Sequence, residues 1–197
     1  ETEETLSAYD EAVKKGCKIV CISSGGKLSV MAANSGHFLI TVPKGFQPRC
    51  ALAFSFFPLL MLLAKLGLVK ERDSGILNLI EFINTKKEIY TEINSPLNIA
   101  ISNADHILGR IPIIYSSNDL LDIVNLRWRG QFSENAKSLA FGNYFPEMNH
   151  NEIVGWQENS EILRNFAVLF LLDKDDNPRL RTRQKITKEI ISTYRGL

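Results

Sequence analysis

The sequence lacks much of what marks several common protein classes. It has three cysteines, Cys17, Cys21 and Cys50, an odd number with no CxxC pair. They are expected as reduced thiols in the apolar core of a cytoplasmic protein, with neither a disulfide frame nor a zinc site. Histidine is equally scarce: His37, His106 and His150 show no HExxH or similar ligand spacing, so no metal is expected. Walker, GxGxxG and GxSxG motifs are absent, and no cofactor is expected. Neither charge sign dominates, with Lys plus Arg at 23, Asp plus Glu at 22 and a net charge of +1. Coating nucleic acid or an anionic membrane takes a large positive excess, so neither partner is expected. The cations from Arg179 to Lys188 spread around a helix as a solvated surface. The longest apolar run, Ala51 to Ala64, is broken by Ser55 and Pro58. It falls short of the ~20 residues of a membrane span and is expected as a buried helix. The chain opens on Glu1 without a basic-then-apolar leader, which points to a processed chain or a fragment.

What is present is an α/β rhythm over 197 residues. Residues 2–15 carry Leu6, Tyr9, Ala12 and Val13 on one helical face, and Gly16 ends the pattern. Cys17 to Ile22 reads as a buried strand followed by the turn Ser23-Ser24-Gly25-Gly26, and His37 to Val42 as a second strand. The helix 48–66 follows. From Glu71 to Asn94, isoleucines at helical spacing among many charges predict a connecting helix. A second α/β unit starts at Pro96, with strands expected at Ile111–Tyr115, near Leu139–Phe141 and at Asn165–Leu172. The last helix, from about Pro178, is expected to bury Leu180, Ile186, Ile190 and Tyr194.

Four places can carry chemistry. Glu1 to Thr5 offers hydroxyls and amides at a helix start, which cap the helix or receive a phosphate. Arg49 opens the most apolar helix, where an arginine needs an ion-pair partner or a bound anion. Glu134 follows the segment Arg127 to Phe132 and is either a general base or a helix-start charge. His150 lies among amides and acids as either a proton-transfer group or a hydrogen-bonded loop residue.

In order, TEET, ISSGGKL, VPKGFQPR, FSENAK and PEMNHNEIVGW resemble the bifunctional phosphoglucose/phosphomannose isomerases. These are SIS-domain (sugar isomerase) proteins of the phosphoglucose isomerase superfamily, and the likeness runs from Glu1 to about Tyr194. It implies two SIS-type subdomains with parallel sheets flanked by helices, both incomplete in this fragment. Residues 1–70 would be the later part of the first subdomain, 71–95 the connecting helix and 96–197 the second subdomain, truncated. The family's phosphate loop reads Ser-x-Ser-Gly-x-Thr, and Thr2 matches its threonine. The loop's serines and a substrate-facing C-terminal lysine would lie outside the chain.

The same resemblance implies the roles of the side chains. Glu134 matches the catalytic base, His150 the ring-opening histidine supplied to a neighbouring subunit, and Arg49 the arginine near the sugar's C1 and C2 oxygens. The implied protein is a cytoplasmic homodimer with active sites at the interface. It would interconvert glucose 6-phosphate, and also mannose 6-phosphate, with fructose 6-phosphate through a cis-enediol and without a metal. The chemistry is consistent: an acid-base group opens the ring, a carboxylate carries a proton between C1 and C2, and a fixed cation meets the charge on oxygen. A phosphate held at a helix start positions the sugar from a distance. Two other readings share the fold. One is a phosphosugar-sensing SIS module, which needs neither Glu134 nor His150. The other is a SIS isomerase of a different sugar phosphate.

Overall fold

The computed structural model describes residues 2–157 and 160–195. The chain divides into two compact units, Glu1–Ile80 and Glu81–Leu197. Both are α/β, with parallel strands and helical connections, as the sequence predicts.

In the first unit, α1 (Glu3–Lys14) leads into β1 (Val20–Ser23), α2 (Gly26–Asn34) and β2 (Phe38–Thr41). Strands β1 and β2 pair in parallel, Val20 against Phe38 through Ser23 against Thr41. Strand β1 begins three residues later than expected because Gly16, at φ 66°, and Cys17 close the end of α1. Their amides bond the carbonyls of Val13 and Ala12, both at 3.0 Å. Helix α2 has no counterpart in the sequence reading, where Gly25-Gly26 looked only like a turn. Gly25 holds φ 141°, a conformation that side chains rarely adopt, and so lets the chain swing from strand to helix. Leu28 and Ala32, four residues apart, then pack with Tyr9 and Cys21 to form the core of this unit.

Two expectations are corrected in this unit. Cys21 is buried, but Cys17 and Cys50 are exposed, so only one thiol lies in the core; all three are free. The apolar segment splits into a 3-10 turn, Pro48–Cys50, and helix α3 (Leu52–Lys65). Among the described residues none of its side chains is buried, and Leu52, Phe56, Leu59 and Met61 are each about half exposed. Apolar composition identified the helix, but its apolar residues encircle the axis and leave no polar face to solvent.

Helix α4 (Asp73–Thr91) crosses from one unit to the other. The second unit continues with α5 (Ile99–Ile107), β3 (Ile111–Ser117), α6 (Asp122–Gln131), a π-turn (Phe132–Ala136) and β4 (Phe141–Phe145). Two 3-10 turns, Glu147–Asn149 and Glu152–Trp156, then lead to α7 (Ser160–Leu163), β5 (Phe166–Leu171) and α8 (Pro178–Arg195). The sheet order is β4-β3-β5, with β3 central and parallel to both neighbours. Its core joins Tyr115, Phe145, Met148, Trp156, Leu163 and Ile191.

Strand β4 starts two residues later than predicted. The left-handed Lys137, at φ 56°, and the 3.2 Å bond from the Ser138 amide to the Phe132 carbonyl keep the chain turning first. Helix α6 lies close over β3 and β4. Asn125, fully buried, donates to the Ile114 carbonyl at 2.9 Å and to Ser116 Oγ at 3.1 Å. A Cβ on Gly142 would lie against the Ile114 carbonyl oxygen and 2.7 Å from Asn125 Oδ1, so β4 needs glycine there. Helix α8 turns Leu180, Gln184, Thr187 and Ile191 inward, while Ile186 and Tyr194 are exposed. Of the expected apolar face, Leu180 packs on the core and Ile190 is half-buried, so the expectation fails at Ile186 and Tyr194. Gln184 and Thr187 go inside because Asp176 and Asn149 satisfy them, at 3.1 and 2.7 Å.

Candidate active site

In an open parallel sheet, ligands gather outside the carboxyl ends of the strands. The first unit has a cavity of about 390 Å³ at that edge. Ser23 and Ser24, at the end of β1, line it together with Thr5, Pro48 and Ser55. Thr2 occupies the N-cap position of α1, three residues before Thr5, its hydroxyl 3.3 Å from the Thr5 hydroxyl. The Thr2 hydroxyl also lowers the Glu4 carboxyl below its usual value. Arg49 directly follows Pro48 in the 3-10 turn and is half-buried. Thr5 and Pro48 line this cavity, whereas Thr2 and Arg49 are their near neighbours in the chain and are not among its lining residues. Glu1 lies outside the described residues.

The second unit separates its two predicted residues. Helix α6 starts beyond the carboxyl end of β3 and runs back over the sheet, its Arg129 reaching the amino half of β4 near Gly142. Glu134 comes next, in the π-turn before β4 begins, and so sits at the amino edge. It is exposed, and its carbonyl accepts the Lys137 ammonium at 2.5 Å. His150 follows the carboxyl end of β4. The five residues of β4 alone put roughly 16 Å between the two edges. Glu134 and His150 of one chain therefore flank opposite ends of β4.

The loop that carries His150 is anchored on nearly every other residue. Met148 and Trp156 are buried, and Asn149 Nδ2 bonds Thr187 Oγ1 at 2.7 Å. Asn151 donates to Glu147 Oε1 at 2.9 Å and accepts the Glu152 amide at 2.6 Å. Glu152 takes the Tyr115 hydroxyl on one carboxylate oxygen and Asn143 Nδ2, at 2.6 Å, on the other. Trp156 Nε1 donates to the same Tyr115 hydroxyl at 3.0 Å. Burial first, then the bond to Glu152, raises the Tyr115 hydroxyl pKa well above the usual tyrosine value. The exposed His150 ring has no hydrogen bond among the described residues.

The second half of the chain, residues 97–196, matches the family model described as the bacterial phospho-glucose isomerase C-terminal SIS domain. That match covers the sheet, the Glu134 turn and the His150 loop. By that match the chain belongs to the bacterial phospho-glucose isomerase C-terminal SIS domain family. Across 96% of its length it is 43% identical to the bifunctional phosphoglucose/phosphomannose isomerase of Caldicellulosiruptor bescii, covering 56% of that protein. It is 40% identical, over 98% of its length, to the protein of the same name from Aquifex aeolicus, again covering 56%. The chain thus spans a little over half the length of these family members. A candidate phosphosugar isomerase of Clostridium difficile 630 has a similar fold, with a TM-score of 0.65 and 16% identity. That likeness covers 96% of this chain and 53% of the other.

Against this family background, sequence reasoning included Thr5 in its first candidate segment but missed Ser23 and Ser24 at the first cavity, and the Glu152 anchor. The serines had a signal: Ser-Ser-Gly-Gly directly after a buried strand marks the carboxyl edge of a sheet. Glu152 had none, because Tyr115 and Asn143 lie 37 and 9 residues away and meet it only through the fold. Among the described residues, no cluster of three or more His, Cys, Asp or Glu is placed to hold a metal. No described helix is long and apolar enough to cross a membrane.

Proposed function

We propose that the complete protein interconverts glucose 6-phosphate and mannose 6-phosphate with fructose 6-phosphate, without a metal. His150 moves the proton that opens the sugar ring. Glu134 then removes the proton from one of C1 and C2 and returns it to the other, through a cis-enediol. Arg49 supplies fixed positive charge beside the C1 and C2 oxygens as they gain electron density. Thr2, with the hydroxyls around it at the start of α1, receives the phosphate and holds the sugar from a distance.

The separation of Glu134 from His150 on one sheet carries this reading. A C2 dimer answers it, because each chain contributes its glutamate to one site and its histidine to the partner's site. The loop chemistry agrees, since the anchored residues of PEMNHNEI leave the imidazole exposed. The sequence match to bifunctional phosphoglucose/phosphomannose isomerases supports both aldose substrates. Three free thiols suit a reducing cytoplasm.

Full-length protein given fructose 6-phosphate in heavy water tests the proposal by NMR. Both aldose phosphates are expected to appear, carrying deuterium at C2 from exchange during the proton transfer. A protein that binds fructose 6-phosphate but forms neither aldose contradicts the assignment. Solvent deuterium at C2 separates the enediol route from a hydride shift, which takes up none.

A further inference from the structure

We propose that Glu152 is the positioning residue for His150, holding in place the loop that presents the imidazole. The role acts through the histidine, and so rests on the ring-opening function given to His150 above.

The described residues between β4 and α7 form no strand and have only two short 3-10 turns. Their shape depends on side-chain anchors. Most lie at the ends: Met148 is fully buried on one side of His150 and Trp156 is buried on the other. Nearest the histidine, Asn149 is tied to α8 through Thr187, and Asn151 is tied only within the loop. Trp156 bonds one strand of the sheet, and Glu152, closer to the histidine, bonds two. One carboxylate oxygen accepts the hydroxyl of Tyr115 on the central strand, and the other accepts the amide of Asn143 on the edge strand. Tyr115 is fully buried and in turn accepts from Trp156 at the far end of the loop. The network therefore closes a ring: loop to β4, loop to β3, and back to the loop.

This geometry requires a carboxylate. Two donors face the Glu152 head group, and an ionised carboxylate accepts on both oxygens. Glutamine has the same shape but one acceptor, so its NH₂ would face either the Tyr115 hydroxyl or the Asn143 amide. Exchanging the partner repairs the fault. An aspartate at 143 accepts from a glutamine at 152, which still accepts the tyrosine.

The test uses the full-length enzyme with two substrates. These are fructose 6-phosphate and its 5-deoxy analogue, which lacks the hydroxyl that closes the ketose ring. Glu152→Gln is expected to lower kcat on fructose 6-phosphate about tenfold and on the analogue less than twofold, because misplacing an acid-base group slows only the step that uses it. The pair Glu152→Gln with Asn143→Asp should restore most of the loss, which a merely structural defect would not allow. Adding Glu152→Gln to His150→Ala should cost nothing further. If Glu152→Gln does not fold, Asn143→Ala removes one of the two donors and is read by the same ratio. Equal losses on both substrates, full additivity with His150→Ala, or no loss at all would overturn the role of Glu152. If His150→Ala by itself slows both substrates equally, the ring-opening reading fails first. If His150→Ala is selective and Glu152→Gln is not, only the positioning role fails.

Discussion

Replacing Tyr115 with phenylalanine separates the buried network from the rest of the fold, and its effect should depend on pH. Near neutrality the change removes one hydroxyl and leaves two buried or half-buried groups without a partner, a Glu152 carboxylate oxygen and the Trp156 indole N–H. A lost bond to a charged group together with an unsatisfied buried donor costs about 3 kcal/mol. The wild-type advantage then shrinks in alkali. Tyr115 is fully buried, and burial with the nearby Glu152 charge raises its folded-state pKa above the usual tyrosine value of 10.0. Once the pH passes that value, the unfolded chain loses the phenolic proton while the folded chain keeps it, so the folded state becomes less favoured. The stability from this group is fully present below pH 10 and falls by about 1.4 kcal/mol for each pH unit above it. Near pH 11.5 the difference between wild type and Tyr115→Phe should have dropped by roughly 2 kcal/mol. Urea unfolding of the full-length pair between about pH 8 and pH 11.5 measures it, because the other tyrosines and the lysines cancel in the difference. A gap that stays constant across that range would refute the buried, Glu152-bonded hydroxyl.

Other predictions follow from single contacts. Gly142→Ala should destabilise the protein by several kcal/mol, seen as a lower urea midpoint. Its methyl would press on the Ile114 carbonyl and Asn125 Oδ1 in the sheet-to-α6 contact, and neither atom belongs to a flexible chain end. Glu134→Gln should abolish isomerisation while fructose 6-phosphate binding, by calorimetry, changes less than about twofold; turnover near wild type would remove Glu134 as the base. Thr2→Val should raise KM for hexose 6-phosphates several-fold with little change in kcat, and an unaltered KM would place the phosphate elsewhere.

The fold class could be read from the sequence because continuous apolar strands between helical segments have few other solutions than a parallel α/β layer. The errors arose where tertiary partners overrode local pattern. Gln184 and Thr187 turn inward on α8, against polarity, because Asp176 and Asn149 receive them. Helix α2 was hidden behind Gly25, whose backbone conformation no pattern of apolar residues reports. Helix α3 was legible as a helix but not as an exposed one, since composition cannot say what covers a surface. Thr2, Arg49, Glu134 and His150 were named as candidates through motifs. The placement of Glu134 and His150 was not legible, because it depends on which end of β4 each residue flanks.

That arrangement leads to the most direct measurement of the central claim. Full-length Glu134→Gln and His150→Ala homodimers, the first inactive and the second impaired on the cyclic substrate, are mixed and allowed to exchange subunits. If a site takes its glutamate from one chain and its histidine from the other, each heterodimer regains one intact site. Random exchange then restores about a quarter of wild-type activity. If exchange is verified and activity stays at the level of the parents, the histidine does not serve the neighbouring site, and the account is contradicted.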